Sequence, residues 1–176
     1  MARLIQVVKD DHRRLIQLRQ RILTSSQNDG LLKAQVVEEL QQHISAESQI
    51  LLPLISERLQ DGSKRSENLR HTHEHIINKL HNIESSDCSV LSLRGHLNSL
   101  WMQISKHIQD TDHQDLPRVE ESISTLDSET LADNYLRAKK PEAIRATARI
   151  NLRTSLSCGA WRDSAWCCTD YRKLFC

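Results

Sequence analysis

The chain has 176 residues, a length that suits one domain with a short extension and that can bury enough apolar surface to fold on its own. Its 24 Lys and Arg residues nearly balance 23 Asp and Glu residues, for a net charge of +1, so neither nucleic acid nor an anionic membrane is expected as the main partner. The sequence has no apolar run of about 18 residues, and its N-terminus lacks the apolar stretch of a signal peptide, so the cytoplasm is the expected compartment.

Four long segments repeat apolar residues at every third or fourth position, which predicts four amphipathic helices. These helices are expected at about residues 3–24, 31–60, 66–84 and 89–121, with a weaker fifth helix at 128–140. Gly30 is expected to end the first helix, Pro53 to kink or locally break the second, and residues 61–66 to form a turn. Because the connections are short, the segments predict an all-α fold, an antiparallel four-helix bundle.

The end of the chain differs in composition from the predicted bundle. Residues 145–176 show no helical stripe, yet they contain four of the five cysteines and four of the six aromatic residues. An odd cysteine count without a signal peptide does not indicate a disulfide framework, and the cysteine spacing matches no zinc motif. We divide the chain into a bundle at 1–125, a post-bundle helix or linker at 126–144, and a tail of unknown structure at 145–176. The tail is either an exposed extension or a site for a soft metal ion.

Each of the four main helices places one histidine in phase with its apolar positions, and the second helix adds a carboxylate one turn later. We call these residues the His/Glu cluster: His12, His43, Glu47, His73 and His107. A single inward histidine is usually a core residue with a hydrogen-bond partner. Four of them with a carboxylate would cost on the order of several kcal/mol if left unpaired, and a shared metal ion removes that cost. Imidazole and carboxylate ligands without cysteine suit iron, manganese, zinc or copper.

The third helix offers three histidines, and helical phase distinguishes among them. His73 lies three residues before Ile76 and seven before Leu80, so it shares their face, whereas His71 and His75 point away from it. A site with two metal ions would also need a second bridging carboxylate, which is expected from the fourth helix, opposite Glu47.

In these residues and their spacing, the sequence resembles the hemerythrin-like (HHE cation-binding) domain family, most closely its fungal members. The matching pieces are DH at 11–12, HISAESQILLP at 43–53, H-x-x-I-x-x-x-L from His73, LWMQISKHIQDTDHQDLPRVE at 100–120 and LADNYLRAKK at 131–140. The family pattern of His, Glu four residues later and Pro six residues after that is complete at His43, Glu47 and Pro53. In the fourth helix, His107 and Pro117 keep the same spacing of ten residues. The resemblance covers about residues 1–140.

The resemblance implies an up-down-up-down four-helix bundle around a non-haem di-iron centre, with the His/Glu cluster as its ligands. One position departs from the family pattern, because Thr111 stands where the fourth helix has Glu. By helical phase, Asp112 is the best substitute, since the oxygen-carrying members have Asp five residues after this histidine. The alternative is that Asp110, Asp112 and Asp115 are all solvated surface residues. In that case the second bridging carboxylate is missing, and a single metal ion is expected.

Three functions remain open from the sequence. The first, implied by the resemblance, is an iron-binding protein whose partners are the metal ion and O2 or a related small ligand, or which buffers or senses iron. The second is an enzyme, an O2-activating oxidoreductase acting on a small organic substrate, which would need a cavity beside the metal site with a path to solvent. The third is a metal-free helical interaction module. The sequence does not decide whether the protein is an enzyme, nor its oligomeric state.

Overall fold

The computed structural model describes residues 2–24, 30–85 and 90–140, and the regular structure in these ranges is helical. The first long helix is α1 (Leu4–Thr24). The second is continuous through α2 (Gly30–Ala46), a π-helical turn π1 (Glu47–Leu51) and α3 (Leu52–Arg58). The third is α4 (Gly62–Ser85), and the fourth runs through α5 (Val90–Asp110), a π-helical turn π2 (Thr111–Asp115) and α6 (Leu116–Glu121). The fifth is α7 (Thr125–Ala138). The predicted all-α bundle is confirmed.

Two apolar clusters fill the core. The first apolar cluster contains Leu15 of α1, Leu40 of α2 and Leu80 of α4, all buried. The second includes Leu4 of α1 and Leu116 of α6, which are fully buried. The residues of the His/Glu cluster lie along the chain between positions of the two apolar clusters, so a polar layer separates them.

Helix α7 closes the end of the bundle formed by the second apolar cluster. Ser124 precedes its first residue, and the Ser124 hydroxyl accepts a hydrogen bond from the backbone N–H of Asp127 and so caps the helix. Tyr135 on this helix is fully buried. The Ser128 hydroxyl accepts from the backbone N–H of Leu4 at 2.9 Å and donates to Glu120 at 2.6 Å, which joins α7 to the start of α1 and to α6.

Pro53 does not break the second helix. Proline has no N–H to donate, and the ladder adjusts just before it through π1, where the N–H of Leu52 donates to the carbonyl of Glu47, five residues back. The helix therefore continues into α3, with Pro53 in its first turn. The expected break is replaced by a local widening of the helix.

One predicted boundary was wrong, and Gly30 has a different role from the one expected. The first helix ends at Thr24, as predicted, but Gly30 begins α2 and is not the stop of α1. Residues 61–66 were expected to form a turn, but α4 begins at Gly62, where the chain passes very close to α3. A Cβ atom on Gly62 would lie 2.1 Å from the carbonyl oxygen of Ile55, so this approach requires glycine.

The predicted tail at 145–176 and the last residues of the 126–144 segment lie outside the described residues. Within the described ranges, no helix combines the length and the apolar character needed to cross a membrane.

Candidate metal centre

The polar layer of the core brings together the five residues of the His/Glu cluster. Each comes from a helix expected to provide it: His12 from α1, His43 from α2, Glu47 from π1, His73 from α4 and His107 from α5. All are at most 4% exposed. Helical phase therefore placed each of them on the correct face, and the bundle places them at the same height.

The four histidines surround the Glu47 carboxylate. Glu47 Oε2 lies 2.9 Å from Nε2 of His73, 3.1 Å from Nε2 of His107 and 3.6 Å from Nε2 of His43. Glu47 Oε1 lies 3.4 Å from Nε2 of His12, and the Nε2 atoms of His43 and His107 are 3.2 Å apart. Every ring thus presents its Nε2 atom to one small volume, as metal-binding imidazoles do.

On the far side of the histidine rings from Glu47, carboxylate and hydroxyl oxygens contact the Nδ1 atoms of three histidines. Asp112 Oδ1 lies 2.7 Å from Nδ1 of His12, and the Ser48 hydroxyl lies 3.2 Å from Nδ1 of His73. Because an ionised carboxylate can only accept, Nδ1 of His12 carries the hydrogen of this contact, so loss of the other ring proton would leave the lone pair of Nε2 directed inward. Nδ1 of His107 has no hydrogen-bond partner among the described residues.

A network that involves α7 orients His43. Its Nδ1 atom lies 3.1 Å from Asp11 Oδ2 and 3.1 Å from the hydroxyl of Tyr135, and that hydroxyl donates to Asp11 at 3.0 Å. The ammonium of Lys139 forms an ion pair with the other oxygen of Asp11. Asp11 thus stays ionised although it is buried, and its pKa is low because His43 and Lys139 outweigh the effect of burial, which alone would raise it.

The protonation states differ among the residues of the His/Glu cluster. Burial lowers the pKa values of His43 and His73, so their rings are neutral, the form that binds metals. Burial alone would raise the pKa of Glu47, but the imidazoles that surround it, with His107 and His43 contributing most, hold that pKa well below its usual range, so Glu47 is a carboxylate. Burial acts to lower the pKa of His12, but its contacts with Asp112 and Glu47 raise it to about 9.

The donor atoms fit a cation. Nε2 of His12 and Oε1 of Glu47 are buried and have no hydrogen-bond partner among the described residues. Nitrogen and oxygen ligands at about 2.0–2.1 Å from one ion lie roughly 3.0–3.4 Å from one another, close to the separations measured here. The potential ligand atoms of four residues all lie within 4.8 Å of one another: His12, His43, Glu47 and His107. His73 joins them through its contact with Glu47.

A family comparison agrees with this geometry. The model of the hemerythrin HHE cation-binding domain matches residues 3–119. The chain belongs to this family. An uncharacterised hemerythrin-like protein of Schizosaccharomyces pombe is 27% identical over 143 residues, which cover 80% of this chain and 70% of the relative. No solved structure matches the chain significantly. The family match ends before α7, so Tyr135 and Lys139 contribute to the centre from outside the matched hemerythrin domain.

The aspartates near the hemerythrin family's second carboxylate position all have other contacts. Asp112, expected as the second bridge, lies behind His12 on the side away from Glu47 Oε1, since it contacts Nδ1. Asp115 is buried and accepts from Nε of Arg65 at 2.6 Å. Asp110 is about half exposed, with Lys106 at 3.7 Å. Thr111 itself is fully buried.

A groove between α4 and α5 leads from the surface to the centre. It has a volume of about 840 Å³ and is lined partly by polar residues, including His75, Gln103 and Lys106. His107 and Thr111 also line it, so the groove reaches one edge of the His/Glu cluster. This groove could not be predicted from apolar periodicity, because periodicity describes each helix separately and the groove forms where two helices pack.

Proposed function

We propose that this protein binds non-haem iron at the His/Glu cluster and uses it to bind O2 or a related small ligand, or to buffer or sense iron. The observation that supports this most directly is the convergence of four buried Nε2 atoms on the Glu47 carboxylate. The ligands proposed are the five residues of the His/Glu cluster. Bound iron would supply a redox-active ion with affinity for diatomic ligands.

The protein residues prepare this site in three ways. The neutral rings of His43 and His73 offer lone pairs without a proton to displace. The network behind His43 and the carboxylate of Asp112 fix two rings in the orientation that ligation requires. The two apolar clusters exclude bulk water from above and below the polar layer, which leaves the groove beside His107 as a route for small molecules.

Metal analysis of the full chain tests the proposed function. We expect the protein, expressed aerobically with added iron, to retain iron through gel filtration and to show near-ultraviolet and visible absorption that changes reversibly on reduction. The substitution His73→Ala is expected to reduce retained iron severalfold. His75→Ala is the matched control, because His75 lies on the same helix two residues away and is exposed. Failure of the wild-type chain to retain iron would contradict the proposal and favour the metal-free interaction module.

The groove supports a second candidate function, that of an O2-activating oxidoreductase acting on a small organic substrate. A volume of about 840 Å³ exceeds the needs of a diatomic ligand and is within the range of small-molecule sites. An oxygen electrode distinguishes the two functions. Spectral changes that reverse on cycling between O2 and argon, without net O2 uptake, support binding. Sustained O2 uptake with a reductant, reduced by Thr72→Trp in the groove wall, supports the oxidoreductase.

A further inference from the structure

We infer that the centre holds one metal ion, and that Thr111 sets this number by standing where a second bridging carboxylate would be needed. This inference rests on the proposed function, because it concerns the same metal site. It departs from the di-iron centre that the family resemblance implies. The observations that carry it are the repeated architecture of the two ligand helices, the positions of the neighbouring carboxylates and the spacing of the donor atoms.

The second and fourth helices repeat one local architecture. In the second helix, π1 begins at Glu47, four residues after His43, and the N–H of Leu52 donates to the carbonyl of Glu47. In the fourth, π2 begins at Thr111, four residues after His107, and the N–H of Leu116 donates to the carbonyl of Thr111. A proline then stands in the first turn of both α3 and α6. Thr111 therefore occupies the position in the fourth helix that corresponds to that of the metal-binding carboxylate in the second.

Thr111 cannot supply what this position requires. Its side chain ends in a hydroxyl, which carries no charge and has one oxygen, whereas a bridge between two cations uses two carboxylate oxygens. Thr111 is fully buried, at 0% exposure, and its Oγ1 atom has no hydrogen-bond partner among the described residues. The chain thus has a buried polar atom at this place with no charge to hold a second cation.

No neighbouring carboxylate takes over from Thr111 in the part of the chain that the structure describes. Asp112 is bound to Nδ1 of His12, and Asp115 is bound to Arg65. The group whose ligand atoms all lie within 4.8 Å of one another contains Glu47 as its one carboxylate. One carboxylate and three imidazoles of this group suffice for one cation, with His73 able to add a further nitrogen.

The donor spacing also favours one ion. In two-metal sites the ions lie about 3.5–4 Å apart, so terminal ligands of different ions are held further from each other than ligands of the same ion. Here the Nε2 atoms of His43 and His107, which come from different helices, are 3.2 Å apart. Nε2 of His107 is 3.1 Å from Glu47 Oε2, and Nε2 of His12 is 3.4 Å from Glu47 Oε1. These separations suit the ligands of a single coordination sphere.

Metal counting on the full chain tests this inference. The metal-free protein is titrated with ferrous ion under argon and desalted, and iron per chain is measured by mass spectrometry. We expect one iron per wild-type chain. After oxidation, an isolated ferric ion gives an electron paramagnetic resonance signal, whereas two bridged ferric ions couple and give none, so a signal that accounts for all the iron is expected.

Two substitutions at one position identify the determinant. Thr111→Glu restores a carboxylate at the place that matches Glu47, and we expect it to double the iron content to two per chain and to remove the resonance signal. Thr111→Val is the matched control, because it keeps the shape of threonine without its hydroxyl, and it is expected to stay at one. Circular dichroism confirms that each variant is folded, and the wild-type measurements stand whether or not Thr111→Glu folds.

The outcomes separate this inference from the function on which it rests. Two irons in the wild-type chain would overturn the inference and leave the proposed iron site intact. One iron in a folded Thr111→Glu variant would show that Thr111 does not set the number. Absence of iron from every variant would overturn the proposed function and this inference with it.

Discussion

At the scale of single residues, the candidate metal centre includes groups that lie behind the proposed ligands. Three of the four inward histidines have an oxygen at Nδ1, from Asp112, Asp11 or Ser48. Such contacts fix the tautomer and orientation of a ring, and losing one typically lowers metal affinity by about 10–100-fold. We therefore expect measurable effects on metal binding from substitutions at residues that are not themselves proposed ligands.

We expect Asp112 to give metal binding a pH dependence. The neighbouring carboxylates raise the pKa of His12 to about 9, against the effect of burial, so below that pH a metal ion must displace the Nε2 proton. Since protonation competes with binding, the apparent affinity is expected to rise by up to about tenfold per pH unit from pH 7 towards pH 9 and then to level off. Competition with a chelator at a series of pH values measures this slope.

Two aspartate variants show whether Asp112 causes the slope. Asp112→Asn removes the charge that favours the protonated ring, so we expect a flatter pH profile and an affinity at pH 9 lowered by about tenfold or more. Asp110→Asn is the matched control, since Asp110 lies two residues earlier and is about half exposed. A wild-type affinity that does not change between pH 7 and 9 would rule out this role for His12 and Asp112.

Tyr135 offers a second test at this scale. The substitution Tyr135→Phe keeps the ring in the core but removes the hydroxyl that contacts Nδ1 of His43 and donates to Asp11. We expect the iron affinity to fall by about tenfold, whereas the metal-free protein loses only about 0.5–1.5 kcal/mol of unfolding free energy, as for one hydrogen bond. Chelator competition and thermal unfolding of the metal-free protein separate the two effects. An unchanged affinity would show that Asp11 alone orients His43.

At the scale of helices, the sequence predicted those features that repeat with the α-helical period. The apolar faces and the inward positions of all five His/Glu residues follow from that period, because it applies along most of each helix. The α-helical period selected Asp112 as a second bridge but not its contact with Nδ1 of His12, since π2 begins at Thr111 and changes the phase of the residues after it. Tyr135 could not be placed at all, because its contact with Asp11 joins residues 124 apart in the chain. Such pairings depend on how the helices pack, which periodicity does not contain.

The start of α4 provides a prediction at this scale. Gly62→Ala places a methyl group 2.1 Å from a backbone carbonyl of α3, and backbone cannot move aside as a flexible side chain can. We expect the unfolding free energy to fall by about 1–3 kcal/mol, the usual cost of overpacking. Gly95→Ala is the control, because it lies within α5 with nothing within 4 Å of the added Cβ, and it should stabilise the protein by about 0.5–1 kcal/mol. Urea unfolding of both variants measures the contrast, and equal effects would contradict the close approach.

At the scale of the whole molecule, the fold confines a costly polar layer between two apolar clusters. A buried carboxylate and four buried imidazoles cost free energy unless they are paired. Here the imidazoles contact the carboxylate, and the proposed cation would bind to both. Four helices supply the layer, and the fifth, beyond the matched family domain, supplies part of its support. The contacts that support the candidate centre therefore extend beyond the family match.

Truncation tests how far the functional unit extends. Every residue assigned here to the centre lies before residue 141, so a chain ending at residue 140 is expected to bind iron as the full chain does. A chain ending at residue 124 lacks Tyr135 and Lys139, and it uncovers the second apolar cluster at Leu4 and its neighbours. Because both the support of His43 and apolar burial are lost, we expect a lower midpoint of thermal unfolding and an iron affinity reduced by at least as much as in Tyr135→Phe. Equal iron affinity and thermal stability in the two truncated chains would mean that the family-matched bundle is complete without α7.

Loss of iron from the chain ending at residue 140 would instead assign a role in metal binding to the cysteine-rich tail.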